Sequence, residues 1–352
     1  MRILYLFVFL SLFLVTCKKE TKEIIAEHPT TSVDAGNPCY GDTWTAMGNY
    51  NPGTMVPLFV YNNKAYVIRR VNGTTIKRVE IFDGTNWQTL ASDIPLWSNH
   101  PNVFAFTIGS KGYIGRSSYA GSFYEYDIPT NTWTQKANLP VERSNVSTFA
   151  VGNKGYMIGG SYSQNGTTYY SSDTWEYDPA NDSWQQKADF SWLAYKGATG
   201  FSVGNKGYLV NGEMPATYPI VYLNTLLEFD PVADTWSMKA PVPGDPRIHT
   251  AVFVIGGYAY AGGGVEKNGL PTYFNSFRRY NPVTNTWTDI ETFPFLGDVE
   301  YEGIEYDSYS NIAFTLNSKG YVAYNVTKLA KYTPKTCPPI TSGAATATNP
   351  AN

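Results

Sequence analysis

The sequence predicts an all-β protein in which six four-stranded sheets form a ring. This is a six-bladed β-propeller, closed by the N-terminal strand completing the last blade. Three observations predict it. A phrase running from an aromatic residue through a tight turn to a tryptophan recurs as FDGTNW (Phe82–Trp87), YDIPTNTW (Tyr126–Trp133), YDPANDSW (Tyr177–Trp184), FDPVADTW (Phe229–Trp236) and YNPVTNTW (Tyr280–Trp287). Its tryptophans are 46, 51, 52 and 51 residues apart, room for four short strands per unit. The 28 tyrosines and 31 glycines among 352 residues favour short strands joined by tight turns over helices. With 16% charged residues and a net charge of −3, the chain lacks the basic face that nucleic-acid binding requires.

Taken in order, the chain begins with Arg2 and an apolar run of 13 residues, Ile3–Val15, that ends in LVTC (Leu14–Cys17). That run is shorter than the ~20 residues needed to cross a hydrocarbon core. It resembles a bacterial lipoprotein signal, which implies removal of residues 1–16 and lipidation of Cys17. The other reading is an ordinary secretory signal with Cys17 incidental. Residues 17–36 carry charge and no apolar period, as a flexible tether does. The expected address is the bacterial cell envelope, lipid-anchored, at the outer membrane and either periplasmic or surface-exposed. The propeller is assigned to residues 37–340 and a structureless tail to 341–352.

Each unit has the same grammar. In the third, STFAVG (Ser147–Gly152) is followed by KGYMIGG (Lys154–Gly160), DTWEYDP (Asp173–Pro179) and DSWQQK (Asp182–Lys187), four segments with period-two alternation. A sixth unit, NIAFTLNSKGYVAYN (Asn311–Asn325) with KLAKYTP (Lys328–Pro334), has three strands and no fourth. GDTWTAMG (Gly41–Gly48) is a fourth strand without its first three. Pairing the two fragments leaves that blade no open edge and makes Trp44 the missing tryptophan. Cys39 precedes the orphan strand and Cys337 follows the truncated unit. Adjacent strands ~4.8 Å apart suit a disulfide's Cα separation of roughly 4.4–6.8 Å. A Cys39–Cys337 bridge is therefore expected, stabilising by up to ~5 kcal/mol on the chain-entropy model, in an oxidising exported compartment.

The glycine pair Gly159–Gly160, the Tyr-Asp-Pro phrase and the spaced tryptophan resemble the kelch repeat. The resemblance covers residues 39–337 and implies a propeller of about 50 residues per blade. The glycine pair is replaced by Arg69-Arg70, Arg116-Ser117, Asn211-Gly212 and Tyr324-Asn325 in other units. The repeated tryptophans are expected to pack between blades.

Loop length separates the two faces of the disc. Turns between strands one and two, and three and four, are short and share one face. The connections from strand two to three, and from strand four to the next blade, are long and irregular, as in SYSQNGTTYYSS (Ser161–Ser172), and share the other. Binding residues usually sit on such loops. Alignment on Tyr66, Tyr113, Tyr156, Tyr208, Tyr258 and Tyr321, with a shorter turn allowed in the fifth blade, gives one lead-in position per inner strand at the channel mouth: Gly53, His100, Arg143, Tyr195, Arg247 and Ser308. Arg69 and Arg116 join this candidate ligand-binding ring, and Glu213, Glu266, Glu300, Glu302, Glu305 and Asp307 make the opposite side acidic. A pocket with one cationic side holds a carboxylate, sulfate or acidic sugar through charge-assisted bonds. The reading weighed ahead of ligand contact is a structural role, the arginines pairing with neighbouring acids or carbonyls. Trp97, Trp192, Tyr162 and Tyr195 either stack on a ligand or pack their own loops.

No metal site is expected: His28 lies in the tether, and His100 and His249 belong to opposed blades. The leading functional expectation is a non-catalytic, monomeric binding module without cofactor. Its ligand is a glycan or protein on the long-loop face, and its N-terminal lipid holds it to a membrane. The alternative rests on resemblance to kelch-type sialic-acid mutarotases, with Arg143 or Arg247 for a carboxylate and Glu213 for proton transfer. A copper enzyme resembling galactose oxidase would need a free cysteine, which the expected closure consumes. Fold alone does not choose among these activities.

Overall fold

The computed structural model describes residues 42–47, 55–70, 77–90, 103–116, 122–190, 196–214, 220–266, 272–295, 313–325 and 328–334. Their regular structure is entirely β, in six four-stranded sheets and three two-stranded ribbons. Blade one comprises Met55–Tyr61, Lys64–Arg70, Lys77–Phe82 and Trp87–Leu90. Blade two comprises Val103–Ile108, Lys111–Arg116, Phe123–Asp127 and Thr132–Gln135. Blade three is Ser147–Val151, Lys154–Ile158, Thr174–Asp178 and Ser183–Lys187. Blade four is Thr199–Val203, Lys206–Val210, Leu226–Asp230 and Thr235–Met238. Blade five is Ala251–Ile255, Tyr258–Gly262, Phe277–Asn281 and Thr286–Asp289.

Blade six joins the two ends of the chain. Ala313–Leu316, Lys319–Asn325 and Lys328–Thr333 are followed in the sheet by Thr43–Met47, antiparallel, with Trp44 opposite Tyr332. Trp44 takes the place expected of the sixth tryptophan. Its ring lies 5.0 Å from Tyr332 and 4.9 Å from both Phe277 and Phe293 of the preceding blade, and its indole N–H donates to the Glu291 carbonyl at 3.0 Å. The ring also closes between blades six and one, where Phe82 meets Phe314 at 6.2 Å and Tyr321 at 5.5 Å.

The repeated phrase works as a latch between blades. Asn131, Asp182, Asp234 and Asn285 hold left-handed backbone (φ 46–54°), which short polar residues adopt most readily after glycine. Each of the last three accepts the backbone N–H of an alanine (Ala137, Ala188, Ala240) that follows the outer strand of the preceding blade, at 2.8–2.9 Å. The carbonyls of the same alanines accept the indole N–H of Trp184, Trp236 and Trp287 at 2.9–3.2 Å. The phrase's opening tyrosine donates to the same turn, as Tyr177 does to Asp182 at 2.8 Å. Phe229 has no hydroxyl with which to do so.

The second strands carry a complementary device. A Cβ on Gly112, Gly155, Gly207 or Gly320 would overlap the ring of Phe59, Phe106, Phe149 or Phe253, one blade back. Blades five and one tolerate alanine there, Ala259 packing with Phe201 and Ala65 with Phe314. This register corrects one anchor of the sequence alignment. Phe149 faces Tyr156 in blade three, whereas Phe253 faces Tyr260 in blade five, so Tyr260 and not Tyr258 is the matching tyrosine. Nearer the axis, hydroxyls peg neighbouring inner strands together. Thr148 donates to the Ala105 carbonyl at 2.9 Å, and Thr315 to that of Val254 at 2.7 Å.

Candidate functional site on the wide-loop face

Three lead-in segments reach the inner strands of blades three, four and five in the same way. Ser144 bridges to Ser161, Lys196 to Glu213 and Ile248 to Val265. The next residues, Asn145, Gly197 and His249, have φ of 56°, 69° and 56° and turn the chain into the strand. The residues just before the bridges are Arg143, Tyr195 and Arg247. Of these, Arg143 and Arg247 occupy equivalent sites, while Tyr195 lies outside the described residues, as do His100, Gly53, Ser308, Glu300, Glu302, Glu305, Asp307, Trp97 and Trp192. Arg69 and Arg116 sit in register opposite Met55 and Val103, but their side chains lie outside the described set.

The loops between strands two and three are more regular in these blades than the sequence implied. Ser161–Gln164 pairs with Thr167–Tyr170, Glu213–Met214 with Val221–Tyr222, and Val265–Glu266 with Thr272–Tyr273. The ribbon of blade three turns through Asn165-Gly166, both left-handed (φ 52° and 77°), the geometry in which an Asn-Gly pair matches strand twist.

Blade three neutralises its arginine internally. Arg143 Nη2 lies 2.8 Å from Asp173 Oδ2, both side chains 12% exposed, and the Trp175 indole N–H donates to the same oxygen at 3.0 Å. The guanidinium covers the Tyr162 ring at 4.5 Å, and Tyr162 stacks on Tyr169 at 5.4 Å. Tyr162 thus packs within its own ribbon.

Blade four presents an ion pair. Lys196 Nζ lies 3.0 Å from Glu213 Oε1, and Glu213 is buried. The Lys196 ammonium also approaches the Tyr170 ring of the blade-three ribbon, 6.0 Å from its centroid. The Asn211 amide donates to Thr250 Oγ1 at 2.6 Å, tying blade four to the lead-in of blade five.

Blade five buries Arg247, 3% exposed. Nε donates to the Asp245 carbonyl at 2.9 Å, and Nη1 to the Gly263 carbonyl at 3.2 Å and Ser276 Oγ at 3.1 Å. Its guanidinium lies 3.9 Å over the Phe274 ring. Burial, reinforced by the nearby Arg278 charge, pulls the Arg247 pKa down to about 10.

The structure therefore brings Arg143, Glu213 and Arg247 to one face, each with protein partners. Sequence reasoning missed Asp173, Lys196, Ser276 and Arg278. The signal for the first and last two was present: DTWEY in blade three becomes SFRRY in blade five. Among the described residues, no group of three or more His, Cys, Asp and Glu side chains is placed to hold a metal ion.

Residues 246–294, which contain all four strands of blade five, match the family model described as the Kelch motif. The chain is a six-bladed β-propeller that carries a Kelch motif. It is similar to Kelch-like protein 25 of Xenopus tropicalis, 28% identical over 181 residues, covering 49% of this chain and 29% of that protein. It is also similar to the N-acetylneuraminate epimerase of Escherichia coli strain K12, 32% identical over 93 residues, covering 26% of this chain and 23% of that enzyme. The chain thus spans less than a third of either relative. The solved structure of YjhT has the same fold at a TM-score of 0.52 and 19% identity, over 64% of this chain and 73% of that one.

Proposed function

We propose that this kelch-type propeller is a lipid-tethered binding module of the bacterial envelope, displaying its wide-loop face to a glycan or protein ligand. The observation that carries this reading is the asymmetry of the disc. Three ribbons stand on one face of blades three to five, whereas the other face has only tight turns at the described strand connections. Tyr169 and Val221, on two of those ribbons, are 43% and 39% exposed. Partly exposed aromatic and aliphatic groups on a rigid frame suit recognition with little ordering cost. The tether and Cys17 lipidation rest on the signal-like N-terminus. The disulfide, whose cysteines lie outside the described residues, is supported by strand register: Thr43 faces Thr333, four positions after Cys39 and four before Cys337.

A glycan array probed with the full chain in detergent tests the binding reading. Selective binding that weakens on Tyr169→Ala supports it, and no binding to either the array or an envelope-protein pull-down removes it. Mass spectrometry of non-reduced peptides tests the bridge, which a free thiol at Cys39 and Cys337 would rule out.

Similarity to an N-acetylneuraminate epimerase favours a second reading, sugar mutarotation. Buried Glu213 beside Lys196, with Arg143 and Arg247 on the same face, supplies a proton-transfer group and cations for a carboxylate. Anomer exchange of N-acetylneuraminate followed by NMR decides it: acceleration lost in Glu213→Gln supports catalysis, and a rate equal to buffer excludes it.

A further inference from the structure

Blade five departs from blade three at the positions that balance charge. Strand register places Ala261 opposite Arg278 as it places Met157 opposite Trp175. Ser276 is therefore the counterpart of Asp173, and Arg278 the counterpart of Trp175. Where blade three answers its buried arginine with a carboxylate, blade five supplies a hydroxyl and a second cation. Ser276 Oγ is shared, accepting from Arg247 Nη1 at 3.1 Å and lying 3.4 Å from Arg278 Nη1.

Both guanidinium groups also approach one glycine closely. A Cβ on Gly244 would stand 3.3 Å from Arg278 Nη2 and 3.7 Å from Arg247 Nη2. Gly244 has φ +92°, a conformation that favours glycine, and sits on the exposed turn Pro243–Pro246 of the wide-loop face. Two acids are near, and both are exposed. Asp289 lies 2.9 Å from Arg278 Nε with 82% of its side chain in water, and Asp245 offers Arg247 its backbone carbonyl. A screened surface carboxylate neutralises little of a buried charge.

We propose that Arg247, Arg278 and Ser276 form an oxyanion site over Gly244, which receives a carboxylate or sulfate group carried by the ligand. The site rests on the binding reading above and narrows it to ligands bearing such a group. A planar or tetrahedral oxyanion takes charge-assisted hydrogen bonds from two forks at once. It supplies the counter-charge that Asp173 supplies in blade three.

The test titrates the full-length chain in detergent with sodium sulfate or sodium acetate against sodium chloride at matched ionic strength, reading the thermal midpoint. The wild-type midpoint is expected to rise saturably with one of the two anions; sulfate acting at lower concentration marks a sulfated ligand, acetate a carboxylated one. Ser276→Asp, which restores the blade-three arrangement, should begin at a higher midpoint and lose the response. Arg278→Gln should shift the half-saturating anion concentration upward about ten-fold or more, the worth of a charge-assisted bond. No wild-type response beyond the chloride control, or a response that survives Ser276→Asp, overturns the site. Should Arg278→Gln not fold, Ser276→Asp decides alone. An anion response with a silent array removes only the binding reading; array binding unchanged in Ser276→Asp, with no anion response, removes only this site.

Discussion

Blades three and five are built on the same frame and solve one electrostatic problem in opposite ways. Each leads its inner strand in behind a largely buried arginine. In blade three Arg143 meets Asp173 at 2.8 Å, with Trp175 closing over the same carboxylate. In blade five Arg247 meets carbonyls, a serine and, across Ser276, another arginine. The contrast extends to the tight turns of the opposite face, where blade three uses Asp178 and Asp182 and blade five uses Asn281 and Asn285. Blade three pairs its arginine with a buried acid of its own, whereas the acid that blade five offers, Asp289, is exposed. A repeat can therefore keep its shape while one copy replaces the acid that balances its arginine with a hydroxyl.

The largest effect should come from breaking the balanced blade. Asp173→Ser copies blade five into blade three and leaves Arg143 buried without its acid. A loss of about 3 kcal/mol in chemical denaturation is expected, and a loss under 1 kcal/mol would show that water or backbone already carries the Arg143 charge. The converse change, Ser276→Asp, should stabilise by about 1 kcal/mol, and destabilisation would show that blade five has no room for a carboxylate.

The smallest effect is in the turns, and pH reveals it. The Lys154 ammonium and the Ala180 N–H hold Asp178 below the ordinary carboxylate range. Asp182 is pushed upward by burial, but the Ala137 N–H, the Tyr177 hydroxyl and Lys136 together outweigh that and keep it below. Because the folded pKa is the lower one, these carboxylates contribute stability above their unfolded value near 3.8 that is lost as pH falls through the folded value. Asn281 and Asn285 do not titrate. Between about pH 7 and about pH 3, hydrogen-exchange protection relative to the intrinsic rate at each pH should fall at Ala180 and Ala137 while that at Val283 and Ala240 changes little. Equal loss of protection at all four amides would mean that acid loosens the disc as a whole.

Much of this architecture was legible in the chain because each blade is a local unit with its own turn chemistry. The aromatic–turn–tryptophan phrase marks the outer hairpin, and its turn residues need left-handed backbone whatever lies around them. The closure was equally legible, since an orphan fourth strand and a three-stranded last unit leave edges that only one another can satisfy. The lead-in positions of Arg143 and Arg247 followed from spacing, although the anchor in blade five was two residues away, at Tyr260. The long loops, read as irregular, form ribbons in three blades, and in blade three the left-handed Asn165-Gly166 turn lets the connection pair with itself.

What surrounds each arginine is a different kind of fact. The sequence alone determined the blade count, the period and the join between the two ends, because turn preference and strand alternation act over a few residues and repeat. Only the tertiary structure decided that Asp173 balances Arg143, that Lys196 holds Glu213, and that Arg278 stands beside Arg247 above Gly244. Those partners lie 17 to 31 residues apart along the chain. Burial and charge compensation depend on distances in space, which the fold sets and the spacing of letters does not.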